Sequence, residues 1–191
     1  MNMIQSDVNS PLGAMLLVTD EQRRVRALEF AERRSRLHRN LREHYGAYRL
    51  IEGPAPAAVA NALQRYFAGE LEALDGIEVA TGGTEQQERA WSALRRIPAG
   101  QITTYGVLGK SVGINDWRAA VDTGAAVGAN PIAIIVPCHR VLGVNGDLKG
   151  YAWGLHRKRW LLEHETATEE FDRKKQSACD RSPADTEISL D

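Results

Sequence analysis

Residues 131–141 read PIAIIVPCHRV. A short apolar run rich in β-branched residues and bounded by prolines predicts a buried strand over Pro131–Val136. Pro137 removes a backbone donor, so the strand stops where the thiol of Cys138 appears. A free cysteine is most often a small buried hydrophobe. Three features favour chemistry here: the forced turn, the cationic neighbours His139 and Arg140 that favour thiolate over thiol, and an imidazole able to take the thiol proton. Successive side chains of an extended chain point oppositely, so His139 serves Cys138 only through a local turn or a bridging water. A third group must hold the imidazole in the useful tautomer, and Glu165, ending the last expected helix, is the candidate. Arg140 reads as structural or phosphate-facing.

On the N-terminal side of this run the pattern is helical. Glu85–Ile97 forms one helix, stopped by Pro98-Ala99-Gly100. Thr103 or Thr104 caps a second over Tyr105–Val112, ended by Gly113. Asn115 or Asp116 caps a third through Val127, closed by Gly128 and Asn130. Two short helices joined by a glycine-containing turn match a helix-turn-helix, the arrangement that places its second helix in a DNA groove. On the C-terminal side, Asn145-Gly146 predicts a hairpin turn, and Leu155–Glu165 a helix burying Trp160, Leu161 and Leu162.

The first eighty residues differ in character. MLLVTDEQRRVRALEF predicts two strands around the turn Asp20–Arg24. Ala31–Tyr45 reads as an exposed helix with Leu37 and Leu41 inward, and Ala57–Phe67 as a helix entered at Pro56 and ended at Gly69. LDGIEVATGGT reads as a short strand and a Gly-rich connection, the best candidate boundary. Three parts are therefore expected: a support domain over 1–80, a second domain over 81–165, and a disordered tail over 166–191, where apolar periodicity ceases.

With 43% hydrophobic and 26% charged residues in a chain of 191, the composition is that of a globular protein. No apolar stretch is long enough to span a bilayer and the N-terminus lacks signal-peptide character, so neither membrane association nor secretion is expected. With Cys138 and Cys179 the sole cysteines, a disulfide framework is not expected and a reducing cytoplasm is the natural location. No cysteine or histidine pair has zinc-site spacing, so no metal is expected. Residues 82–165 carry ten Lys and Arg against seven acidic residues, and 166–191 four against seven. That excess permits contact with nucleic acid without demanding it.

PCHRV, preceded by GANPIAIIV and followed by GDLKGYAWGLHRKRWLLEHE, resembles the signature of the O6-alkylguanine-DNA alkyltransferases. AWSALRRIPAGQITTYG matches that family's helix, IP-G and threonine-tyrosine turn, and SPLGAMLLV, RALEF and LQRYFAGEL are similar to its bacterial Ogt-type members. The resemblance spans about residues 10–165. It implies an α/β (α+β) fold: an N-terminal antiparallel sheet with a helix or two, and a C-terminal helical domain with a winged helix-turn-helix-like element. It implies direct-reversal repair of duplex DNA containing O6-alkylguanine, and O4-alkylthymine by the same geometry. Cys138 would attack the alkyl carbon and keep the group as a thioether in a single irreversible turnover, with no cofactor, and a monomer is expected. His139 would take the proton through a water and Glu165 would orient it.

The resemblance carries further residues. Tyr105 matches the tyrosine that bonds the purine, Arg118 the arginine that fills the stack when the nucleotide flips, and Asn130 the asparagine that pins the turn before the active-site strand. Tyr151, Ala152 and Trp153 correspond to the pocket wall, with backbone there and at Val141 bonding the base edge. Trp153 stands where many relatives carry glycine, which implies a narrower pocket that affects large alkyl groups most. Gln86 and Ala90 replace larger apolar residues, and the recognition helix between Arg118 and Asn130 is several residues longer than usual. A lesion binder of the same fold would lack the acceptor cysteine. A cysteine hydrolase places its cysteine and histidine far apart in sequence, and a helix-turn-helix regulator needs no thiol after its helices.

Overall fold

The computed structural model describes residues 1–114 and 119–165. It opens on a four-stranded sheet built from β1 (Asn2–Ser10), β2 (Gly13–Thr19), β3 (Val25–Phe30) and β4 (Arg49–Glu52), in the order β3-β2-β1-β4. The β1–β2 and β2–β3 pairs are antiparallel, whereas β4 joins β1 in parallel at the edge, so the sheet is not wholly antiparallel as expected. Neither β1 nor β4 has a clear sequence signal, because β1 is polar over much of its length and β4 has only four residues.

Alternation along the sheet explains the unbroken apolar text of β2. Leu16 and Val18 face α1 (Arg34–Tyr45), together with Met3, Ala27, Leu37 and Leu41. Met15 and Leu17 face the other way, with Leu28 and Phe30, into the main core. A sheet covered on both faces loses the polar–apolar alternation of a half-exposed one. The main core also takes Val59, Leu63 and Tyr66 of α2 (Ala57–Phe67) and Trp91 and Leu94 of α3 (Glu85–Leu94). Both halves of the chain thus share one core. The connection over 73–84 contains no strand; Val79 makes one isolated parallel bridge to Val25 instead.

The C-terminal half continues with β5 (Thr103–Thr104), α4 (Tyr105–Ser111), α5 (Ala119–Gly128), β6 (Val141–Leu142) and α6 (Leu155–His164). Thr104 caps α4, its hydroxyl accepting from the Val107 N–H at 3.3 Å. Capping of α5 by Asn115 or Asp116, the side chain of Arg118, and the tail 166–191 lie outside the described residues. Trp91 Nε1 donates to Ala126 O at 2.9 Å, tying α3 to α5.

The deciding stretch is not a strand. Residues 131–133 touch the edge of β3 once: Leu28 N donates to Pro131 O at 3.1 Å and Ala133 N to Leu28 O at 2.9 Å. The chain then coils, with Ile135 N donating to Ala133 O at 2.6 Å around Ile134, whose φ is +67°. A second tight turn around Pro137 carries Cys138 N to Val136 O at 2.8 Å. Apolar composition reports burial, and this segment is buried throughout, but it does not report extension. The expected hairpin at Asn145-Gly146 is likewise a turn only: β6 pairs in parallel with β5, while Gly143 N reaches Asp147 O at 2.7 Å.

Candidate active site

A single helical turn over Cys138–Arg140 follows Pro137. That turn separates the three side chains, which an extended chain would not do in this way. Cys138, 5% exposed, faces a cavity of about 700 Å³ walled by α4, α5 and the loops on either side of Lys149. Exposed Val121 and Val144 stand at its rim, so the thiol is reachable from solvent through it.

His139 and Arg140 turn the other way, onto Glu165. Arg140 Nε donates to Glu165 Oε2 at 2.8 Å and Nη2 to Oε1 at 2.9 Å, a bidentate pair. His139 Nε2 lies 2.8 Å from Oε1, and Tyr66 donates its hydroxyl to the same oxygen at 2.6 Å. Arg140 also donates to Ile97 O. Burial alone would raise the Glu165 carboxyl, but His139 and Arg140 outweigh it and hold the group well below the usual carboxylate range. Burial keeps His139 below its ordinary value, that is neutral. A carboxylate can only accept, so the imidazole proton sits on Nε2 and Nδ1 is left with a lone pair. Nδ1 is buried and has no hydrogen-bond partner among the described residues. The array leaves one free base site beside the cysteine turn.

Burial raises the Cys138 thiol above its ordinary value; a hydrogen bond from Asn130 Nδ2 at 3.3 Å and the charges of Lys158 and Arg36 oppose it. Cations distant in sequence, Lys158 and Arg36, thus act on the sulfur. Lys158 is wholly buried, with Nζ donating to Val141 O and Leu148 O at 2.6 Å each and to Gly150 O at 3.5 Å. Its ammonium is pushed down to about 8 by burial, with Cys138 acting in the opposite direction.

Several expectations need correcting. Arg140 is 5% exposed and spent on Glu165, so it offers nothing to a phosphate. The Val141 N–H donates to Cys138 O, while its carbonyl accepts from Lys158 at 2.6 Å and keeps a second lone pair for a base edge. Trp153 is 1% exposed and donates to Glu29, away from the cavity it was expected to narrow. On α6, Trp160 is only half-buried, and Lys158 joins Leu161 and Leu162 inside. Tyr105, Tyr151 and Ala152 do line the cavity. Asn130 Nδ2 donates to Val136 O at 2.8 Å while its Oδ1 accepts from Ile132 N at 2.9 Å, clasping the coil that ends at Cys138.

Sequence reading missed Tyr66, Lys158, Glu29 and Arg36. Lys158 left a trace: 158, 161, 162 and 165 fall on one helical face, so a lysine interrupts an apolar stripe. Tyr66 was legible only as core.

Residues 3–81 match the family model described as 6-O-methylguanine DNA methyltransferase, ribonuclease-like domain, and residues 85–167 match its DNA binding domain. A methylated-DNA–protein-cysteine methyltransferase of Salmonella typhimurium is 46% identical over 86% of this chain and 96% of its own. One of the same name from Mycobacterium tuberculosis is 46% identical over 66% of this chain and 77% of its own. The crystal structure of Mycobacterium tuberculosis OGT in complex with DNA is similar at a TM-score of 0.71 and 36% identity, covering 86% of this chain and 93% of that one. With a cysteine turn, a buried His–Glu–Arg array and these likenesses over both halves, the chain belongs to the methylated-DNA–protein-cysteine methyltransferase family.

Proposed function

We propose that this protein repairs duplex DNA by taking the alkyl group of O6-alkylguanine, and of O4-alkylthymine, onto Cys138, once and irreversibly, acting as a monomer. One observation carries the reading: a thiol at the floor of a cavity of about 700 Å³, next to a histidine held neutral with one free nitrogen. The flipped nucleotide enters this cavity, at a cost of a few kcal/mol in lost stacking. His139 Nδ1 takes the Cys138 proton through a water. The sulfur attacks the alkyl carbon, the carbon–O6 bond breaks, and the electron pair leaves on guanine. Guanine regains a ring N–H, so the net path of the proton is from sulfur to base. Tyr105 contacts the purine, Tyr151 and Ala152 wall it, and Arg118 occupies the emptied stack. The reading assigns 1–80 to support and 81–165 to DNA binding and transfer.

The test mixes protein with a duplex bearing one O6-methylguanine, followed by intact mass and peptide mapping. One added methyl on Cys138 and a restored guanine are expected. Cys138→Ala should lose transfer and keep lesion binding; transfer that survives refutes the assignment. Glu165→Gln should slow transfer by roughly a hundredfold, the scale of a disabled general base, and unchanged kinetics would remove Glu165 from the relay.

A further inference from the structure

Two walls of the cavity come from different elements: α5 supplies Gly124, Val127 and Gly128, and the loop before α6 supplies Tyr151 and Ala152. An ion pair from the N-terminal half is lodged between them. Glu29 on β3 and Arg36 on α1 meet at 2.7 Å, with side chains 1% and 11% exposed. Arg36 Nη2 also donates to the carbonyls of Gly128 at 3.1 Å and Asn130 at 2.9 Å, at the C-terminal end of α5, where a cation also meets the favourable end of the helix dipole. Its guanidinium lies 4.9 Å from the centroid of the Trp153 ring, and Trp153 Nε1 donates to Glu29 Oε1. Trp153 packs edge-on against Tyr151 at 5.1 Å. On the far side, Arg157 donates to Trp153 O at 2.9 Å and to Leu12 O at 3.2 Å.

We propose that the Glu29–Arg36 pair and Trp153 are positioning residues that set the gap between α5 and the 151–154 loop, and so decide how large an alkyl group the cavity accepts. None of the three lines the cavity. Trp153 therefore acts on alkyl size from behind the wall rather than as the wall. A planar guanidinium can hold a carboxylate, two carbonyls and a ring face together, which an ammonium cannot do with the same rigidity. The inference rests on the alkyl-transfer reading above.

The experiment uses the full chain and two duplexes, one carrying O6-methylguanine and one O6-benzylguanine, and reads the ratio of the two transfer rate constants by intact mass. Arg36 also helps ionise Cys138, but both substrates meet the same sulfur, so that effect cancels in the ratio while a change of cavity shape does not. Arg36→Met frees both walls, and Trp153→Phe keeps a ring but removes the bond to Glu29. Each should raise the benzyl-to-methyl ratio about tenfold, the scale on which pockets discriminate apolar groups. The double variant should raise it by less than the product of the two, and Arg36→Lys should not restore the original ratio. A ratio within about twofold of the unaltered protein's, in a variant that still unfolds cooperatively, overturns the proposal and leaves the pair a structural role. Should Arg36→Met fail to fold, Trp153→Phe decides alone. If the unaltered protein alkylates itself from neither duplex, the transfer reading fails and this inference with it; transfer with an invariant ratio sinks the inference only.

Discussion

At Cys138, burial and charge pull in opposite directions. Burial keeps the thiol protonated, and the buried Lys158 ammonium favours ionisation. Transfer should therefore accelerate as pH rises above neutrality, since the thiolate fraction grows. Lys158 carries its charge below about pH 8 and loses it above, so Lys158→Met should lower the rate most on the acid side, by about tenfold for one unit of thiol shift. The deficit should shrink as pH climbs past that value. A pH–rate profile for O6-benzylguanine base that is identical in variant and parent would exclude the ammonium from the reaction. At Tyr66 the outcome is simpler. Tyr66→Phe removes a hydrogen bond to an ionised buried carboxylate, and urea denaturation should register a loss of about 2 kcal/mol.

At the scale of the element, the coil 131–138 shows how an apolar run is bent to a purpose. Asn130 ties its two ends, and Ile134 sits in the left-handed region although it is β-branched. Two effects compete in Ile134→Gly. Relief of backbone strain is worth about 1–3 kcal/mol, whereas emptying a side chain that is 1% exposed costs about 2–5 kcal/mol or more. Burial wins, so the variant should be less stable than the parent by roughly 1–3 kcal/mol in urea; a stabilised variant would mean that strain dominates the coil. The α6 face carries the same lesson in another form. Lys158, Leu161, Leu162 and Glu165 share one buried stripe, with one charge engaging the loop carbonyls and the other the cysteine turn.

Across the whole molecule, one core joins the N-terminal sheet to the helices that wall the cavity, and among the described residues Arg36, Arg95 and Arg157 each donate from one half to backbone carbonyls of the other. Duplex affinity depends on cations left at the surface, since Arg140 and Lys158 are committed inside. About three phosphate contacts would give a slope near −3 in log affinity against log salt, or roughly a fortyfold loss between 50 and 200 mM. A flat dependence would remove phosphate contacts from the proposed binding mode. Among the described residues no helix is long and apolar enough to cross a membrane.

PCHRV and its flanks were sufficient to place the chain in its family through their resemblance to that family's signature, because a motif is an order of adjacent residues that needs no tertiary partner to be read. The helices α2, α3, α4 and α6 were legible for a similar reason: caps, glycine stops and apolar spacing are properties of adjacent residues. The β2–β3 pair around Asp20–Arg24 was legible too, but the pairing of β1 and β4 was not, since those two become strands only by joining neighbours. Nor was the division of labour around the sulfur. Residue order put two cations beside Cys138; a single turn sends both to Glu165, and folding brings Lys158 and Arg36 within electrostatic range of the thiol from about 20 and 100 positions away. Electrostatics depends on distance through space and on burial, and the tertiary structure alone sets both.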